Sequence, residues 1–177
     1  MAQAPPQPAG GPGSGLHQAL DLRWRVRGDE PDSLNESLAY AVERSDGLAV
    51  RGTAELVAEI TTDFDVICCA TGTGGTLAGV AAGLTGPRRA LGFAVLKGAR
   101  FLEDEVRRLQ QDAYGQVTTT WAVDLDFHFG GYAKRSTALD AFIVDFDDRH
   151  GVTLDWVYEA KMLYGIAPGT RVVAVLG

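Results

Sequence analysis

A glycine-rich loop between a predicted strand and a predicted helix is the strongest candidate for a chemical site. It has the sequence Thr71-Gly72-Thr73-Gly74-Gly75-Thr76. Glycines let the backbone approach an anion closely, and the N–H groups and dipole of a following helix favour negative charge there. The three threonine hydroxyls offer further hydrogen-bond donors. The pattern predicts a phosphate-binding loop, and the alternative is an ordinary tight turn between a strand and a helix.

Two familiar nucleotide-binding loops do not fit this segment. A dinucleotide fingerprint that starts at Gly72 requires glycine at position 77, where the chain has Leu77. A P-loop running from Gly74 to Gly79 would continue with Lys and Ser or Thr, but Val80-Ala81 follows instead. The loop therefore predicts a smaller phosphate ester, held by backbone and hydroxyl groups.

A second candidate site is the aromatic segment 127–134, Phe-His-Phe-Gly-Gly-Tyr-Ala-Lys. Its aromatic side chains and double glycine are typical of a loop that lines a site. Tyr158 follows 26 residues after Tyr132, with Glu159 next to it at the start of a predicted helix. The alternative is that both tyrosines only pack, and His128 by itself is more typical of a partly buried structural histidine.

The elements that must position these residues alternate between strands and helices. Hydrophobic spacing predicts helices over 48–60, 77–84, 101–111, 136–150 and 157–164, and buried strands over 66–70, 89–96 and 172–176. This alternation predicts an α/β fold, a parallel sheet flanked by helices. Residues 1–15 are predicted to be a disordered Pro/Gly tail, 16–47 are poorly defined, and 48–177 form the α/β domain.

Composition narrows the class of protein. The chain has 177 residues, enough for one ordinary domain, and its net charge of -7 argues against nucleic-acid binding. No apolar stretch reaches 18 residues and the start has no signal-peptide pattern, so no membrane association and a cytoplasmic location are expected. The adjacent Cys68 and Cys69 predict buried strand residues rather than a disulfide or a zinc site, and no metal is expected.

Several motifs in register resemble the 1-aminocyclopropane-1-carboxylate deaminase/D-cysteine desulfhydrase family, which depends on pyridoxal 5'-phosphate. The resemblance covers about residues 48–177 and implies part of a tryptophan-synthase-β-like fold. The matching segments are Ile67–Thr76 with Ala78-Gly79, Leu91–Phe93, Leu96–Gly98, His128–Lys134, Leu154-Asp155, Val157-Tyr158, Lys161-Met162 and Tyr164–Ile166.

The resemblance also implies residue roles. The loop 71–76 would hold the cofactor phosphate, and Tyr132 and Tyr158 match the family's two active-site tyrosines. Glu159 matches the residue that faces the pyridine nitrogen, where a carboxylate keeps the ring protonated and strengthens the electron sink. Glu159 and Leu176 are the residue types that deaminases tend to have at these positions. The substrate implied is a small amino acid, either the cyclopropane acid or D-cysteine.

The lysine content departs from the family. Chemistry of this kind begins at a lysine Schiff base, which the family places upstream of the glycine loop beside an asparagine. The three lysines of this chain are Lys97, Lys134 and Lys161, and none matches that site. Residues 42–48 also differ from the family's Pro-Glu-Gly-Gly-Ser-Asn-Ala-Leu run.

These departures predict a truncated family member, its C-terminal part, that is inactive alone. The alternative is a non-catalytic module that binds a phosphate ligand or a partner. Sheet edges left without neighbours would favour weak stability or a homo-oligomer.

Overall fold

The computed structural model describes residues 47–166 and 171–175, which form a parallel sheet flanked by helices. In chain order the elements are α1 (Gly47–Glu59), β1 (Val66–Thr71), α2 (Gly75–Gly83), β2 (Arg89–Ala94), α3 (Phe101–Tyr114), β3 (Trp121–Asp124), α4 (Thr137–His150), α5 (Glu159–Gly165) and β4 (Val172–Val175). The predicted α/β class is confirmed. The predicted tail 1–15, all of segment 16–47 except Gly47, and Leu176 lie outside the described residues.

The sheet has the strand order β3-β2-β1-β4, and every pair of neighbours is parallel. Strand β1 is central: Val66 is in register with Arg89 on one side and with Val172 on the other. The sequence predicts β1, β2 and β4 as buried strands but only a strand-like run where β3 forms. Strand β3 has four residues and lies at the sheet edge, so its apolar run is too short to stand out.

The two faces of the sheet pack against different helices, because successive strand residues point in opposite directions. Cys69 belongs to the cluster formed with α1, α2 and α3. Cys68 belongs to the cluster formed with α4 and α5, which includes Phe142 and Met162. Both cysteines are free and nearly inaccessible, which confirms the prediction of buried strand residues.

The small residues of α2 allow close packing on two sides. The sequence predicts that they bring the helix close to the sheet, and Leu77 and Ala78 do share a buried cluster with Ile67 and Cys69 of β1. A β-carbon on Gly79 or Gly83 would clash with the carbonyl oxygen of Val50 or Ala54 of α1. The glycines are therefore required by the close approach of α1.

Helix α4 begins and ends where the sequence predicts. The Ser136 hydroxyl accepts a hydrogen bond from the Leu139 N–H at 3.2 Å, which caps the first turn. The helix ends at Gly151, whose φ of 67° is the left-handed conformation that glycine adopts readily. Within the described parts of the chain, no helix is long and apolar enough to cross a membrane.

Candidate functional site

The candidate site lies at the carboxyl edge of the parallel sheet, where β1 and β2 end next to each other. The Val95 N–H donates to the Thr71 carbonyl oxygen at 3.1 Å, so the two strand ends are joined as the glycine loop begins. Ligands of open parallel α/β sheets bind at this edge, in the crevices outside the strand ends. The loop 71–76 occupies this position as the sequence predicts.

The glycine loop turns sharply into α2. Gly74 is buried with φ 87°, and its carbonyl accepts the first helical hydrogen bond, from the Ala78 N–H at 2.9 Å. Because Gly74 has no side chain, the N-cap residue itself makes no side-chain hydrogen bond to the first turn of α2. Backbone N–H groups at the start of a helix are typical donors to an anion.

The three threonines of the loop are placed differently. Thr71 is buried, and its hydroxyl lies over the sheet, donating to the Cys69 carbonyl at 3.4 Å. Gly92 leaves room for it, because a β-carbon there would lie 2.5 Å from Thr71 Oγ1. Thr73 is half-buried and Thr76 is exposed. Thr71 is thus engaged with the strands, and the backbone remains the main source of donors in the loop.

Tyr158 lies directly over the glycine loop. A β-carbon on Gly72 would be 3.5 Å from Tyr158 Cε1 and 3.6 Å from its hydroxyl oxygen. The Tyr132 ring packs edge-on against the Tyr158 ring, with centroids 6.1 Å apart and planes at 73°. Burial, a hydrogen bond with Tyr132 and the charge of Asp155 raise the pKa of Tyr158 well above its usual value. The structure therefore brings together the glycine loop and both predicted tyrosines.

Asp155 fixes the backbone around Tyr158. Its carboxylate accepts from the N–H groups of Val157 at 3.1 Å, Tyr158 at 2.5 Å and Glu159 at 3.3 Å. The Glu159 Oε2 accepts in return from the Asp155 N–H at 3.1 Å. This reciprocal arrangement resembles a capping box at the start of α5. Glu159 thus lies beside Tyr158 and takes part in the cap.

The loop that carries Tyr132 is held in a special backbone conformation. Four residues have positive φ: Phe129, Gly130, Gly131 and Ala133. His128 stabilises the turn, since its Nδ1 accepts from the Gly130 N–H at 2.9 Å and its carbonyl accepts from the Gly131 N–H at 3.0 Å. Burial and the neighbouring Lys97 and Lys161 charges lower the pKa of His128. Its contacts agree with a structural role.

Lys161 is a component of the site to which sequence reasoning gave no role of its own. It is completely buried on α5, whereas Lys97 and Lys134 are exposed. Its Nζ donates to the carbonyl oxygens of Gly131 at 2.8 Å and Val95 at 3.5 Å. The signal in the sequence is a lysine within the apolar run Ala160–Leu163, on a helix that must pack against the sheet.

The strand order and the position of the loop define a class of parallel α/β protein with a glycine loop at the carboxyl edge. A solved structure described as an ACC deaminase homologue has this fold, with a TM-score of 0.67 and 24% identity. The match covers 83% of this chain and 56% of that one. The fold is therefore shared with a longer protein.

Comparison of sequences finds similar proteins. Two proteins named "Putative 1-aminocyclopropane-1-carboxylate deaminase", from Pyrococcus furiosus and Pyrococcus horikoshii, are 35% and 31% identical over 127 and 128 residues. The matches cover 66% and 69% of this chain and 39% of each relative. No family model matches the chain. The predicted resemblance is confirmed: the chain is similar to these relatives over about two thirds of its own length and spans about two fifths of theirs.

Proposed function

We propose that this chain binds pyridoxal 5'-phosphate, with the cofactor phosphate at the glycine loop 71–76 and the ring beneath Tyr158. The observation that carries the proposal is the contact between Tyr158 and Gly72, because it joins an aromatic side chain to the loop at the edge of the sheet. The family relationship supports the same ligand. The buried Gly74 with positive φ supports a cradle in which backbone N–H groups do the binding.

Each residue of the site has a proposed task. The loop backbone binds and orients the phosphate, and the half-buried Thr73 adds a hydroxyl donor. Tyr158 covers one side of the ligand and Tyr132 limits the access of water to it. Glu159 faces the pyridine nitrogen, and Leu176, which lies outside the described residues, completes the cofactor wall. Bound pyridoxal phosphate supplies an electron sink for breaking a bond at the α-carbon of a small amino acid.

The lysine content limits what the 177-residue chain is proposed to do alone. Lys97, Lys134 and Lys161 are its three lysines, and none precedes the glycine loop. Lys161 is buried with both of its described acceptors in the backbone. We therefore expect the cofactor to bind without a covalent bond to this chain, and the chain alone to release no keto acid from the cyclopropane acid or D-cysteine. Between these substrates, Glu159 favours the deaminase.

Binding is tested with 4'-deoxypyridoxine 5'-phosphate, which has the phosphate and ring but no aldehyde to react with lysines. Saturable binding is expected, with competition by inorganic phosphate. Gly72→Leu should weaken it because the added side chain must displace Tyr158. The matched control is Gly52→Leu, at an exposed helical position where a β-carbon meets nothing within 4 Å.

Two results would contradict the proposal. Absence of saturable binding to the folded chain, or equal binding by both glycine variants, would contradict a phosphate site at the loop 71–76. Incubation with pyridoxal phosphate and borohydride, followed by peptide mass spectrometry, tests the second part. A stoichiometric lysine adduct, or keto acid release by the chain alone, would overturn the expected lack of covalent catalysis.

A further inference from the structure

Lys161 forms hydrogen bonds to two segments of the candidate site, the end of β2 and the loop that carries Tyr132. One of its acceptors, the Val95 carbonyl, follows β2 directly, and the Val95 N–H bonds to Thr71 at the start of the glycine loop. The other acceptor is the carbonyl of Gly131, the residue before Tyr132. The lysine ammonium thus links the end of the sheet to the loop that carries Tyr132.

The Gly131 carbonyl accepts two hydrogen bonds, one within the loop from the Lys134 N–H at 3.1 Å and one from outside it, from Lys161 Nζ. Gly131 is buried with φ 127°, and a β-carbon on it would lie 3.5 Å from Lys97 Cβ. Its backbone is therefore close to the turn after β2, in a conformation that a residue with a side chain rarely adopts. The bond from Lys161 Nζ at 2.8 Å is the shorter of the two that the ammonium makes with backbone carbonyls.

A buried ammonium carries a desolvation cost that an apolar side chain at position 161 would not have. Removing an ammonium from water is strongly unfavourable unless hydrogen bonds compensate. Burial lowers the pKa of Lys161, while the charge of Asp155 opposes that change. A methionine would fill similar space without this cost. The two carbonyl bonds are what the lysine adds to the fold.

We propose that Lys161 is a positioning residue that holds Tyr132 against Tyr158 by binding the Gly131 carbonyl. In this role it acts through the backbone of the loop. The consequence for ligand binding rests on the proposed function, because only then do the two tyrosines enclose a cofactor. The positioning itself is measurable without any ligand.

The direct test uses the full chain and NMR cross-relaxation between the ring protons of Tyr132 and Tyr158, assigned with single Tyr→Phe variants. Lys161→Met keeps the length of the side chain but removes all three donors, and the cross-peak should disappear. Lys134→Met is the matched control, because it removes an exposed lysine from the same loop. It should leave the cross-peak unchanged. A folded Lys161→Met chain with a wild-type cross-peak would overturn the proposal.

A wild-type measurement covers the case in which Lys161→Met does not fold. A through-hydrogen-bond coupling between Lys161 ¹⁵Nζ and the Gly131 carbonyl ¹³C is expected. Its absence, together with free rotation of the ammonium, would contradict the proposal without any variant.

Ligand binding then separates this inference from the proposed function. Lys161→Met should weaken binding of 4'-deoxypyridoxine 5'-phosphate roughly tenfold through lost preorganisation, and Lys134→Met should not. If the wild-type chain does not bind the compound, the proposed function fails while the ring contact still decides the role of Lys161. If the wild-type chain binds it and Lys161→Met binds equally, the positioning proposal fails alone.

Discussion

The Tyr158 ring lies against Gly72, so that a β-carbon on Gly72 would be 3.5 Å from Tyr158 Cε1. These residues are 86 positions apart in the chain, and their contact joins α5 to the glycine loop after β1. The Asp155 carboxylate accepts from the Tyr158 N–H, and the Tyr132 ring packs edge-on against the Tyr158 ring. The candidate site therefore depends on groups that are remote from the glycine loop in sequence.

The cap at the start of α5 gives a first prediction. Asp155→Ala removes the acceptor for three backbone N–H groups and should lower the free energy of unfolding by about 0.5–2 kcal/mol, the range for a lost capping side chain. Asp155→Asn keeps a capping oxygen and should lose less than half as much. Urea unfolding followed by circular dichroism measures both. Equal losses would show that the charge, rather than the hydrogen bonds, is what matters at this position.

The raised pKa of Tyr158 makes the free energy of unfolding depend on pH in the alkaline range. Because burial and the Tyr132 hydrogen bond raise the pKa of Tyr158, the folded state favours the neutral phenol. The resulting stabilisation is complete below the unfolded value of about 10 and is lost as the pH rises above it. Tyr158→Phe should therefore lose less stability than wild type between about pH 9 and pH 11. The comparison is made by chemical unfolding at each pH.

A control distinguishes this effect from general alkaline unfolding. Tyr114 is an exposed tyrosine, 38% accessible, at the end of α3. Tyr114→Phe should retain the pH dependence of the wild-type chain. If it flattens the profile as much as Tyr158→Phe does, the alkaline loss of stability does not originate at the tyrosine pair.

The conformation of Gly74 supplies a further prediction. Gly74→Ala forces a β-carbon into φ 87° and within 3.1 Å of Val106 Cγ2, so it should destabilise the chain by about 1–2 kcal/mol or more. Gly86→Ala has a similar φ of 70° but meets nothing within 4 Å. It should cost no more than the strain of its backbone and leave phosphate binding intact. Equal binding and stability in the two variants would argue against a special role for Gly74.

The sequence predicts the elements well where their pattern is local. Strand β1 is a continuous apolar run. Ser136 marks the start of α4 because it caps the N–H of Leu139, only three residues further along the chain. Strand β3 is harder to recognise, because four half-exposed residues have no clear period. The small residues of α2 predict close packing on the sheet, but only the fold shows that α1 is a close neighbour as well.

The candidate site likewise has features that the sequence predicts and features that only the structure shows. The glycine loop is recognisable because its residues are contiguous, whereas the loop geometry that turns the Thr71 hydroxyl towards Cys69 is not written in a local pattern. Resemblance to the family points to Tyr132 and Tyr158 but does not say that they touch. Lys161 has no local signal of its own beyond an apolar setting. Its role depends on two carbonyls 30 and 66 positions away.

The cysteines of β1 report on the strand that feeds the glycine loop. Burial raises the pKa of each thiol to about 12, so the thiolate fraction at pH 8 is on the order of 10⁻⁴ in the folded chain. We expect only slow reaction of Cys68 and Cys69 with Ellman's reagent in native buffer and rapid reaction of both in guanidinium. Thr85→Cys adds an exposed thiol near the end of α2 and should be labelled at once, which shows that the reagent is active.

Ligand dependence makes this measurement specific to the site. Slow native labelling requires β1 to open, and a ligand that binds only the closed loop lowers the open population in proportion to its saturation. Adding 4'-deoxypyridoxine 5'-phosphate should therefore slow the labelling of Cys68 and Cys69 further, without changing the rate at position 85 in Thr85→Cys. Fast labelling of one native cysteine, unaffected by the ligand, would show that β1 opens independently of the glycine loop.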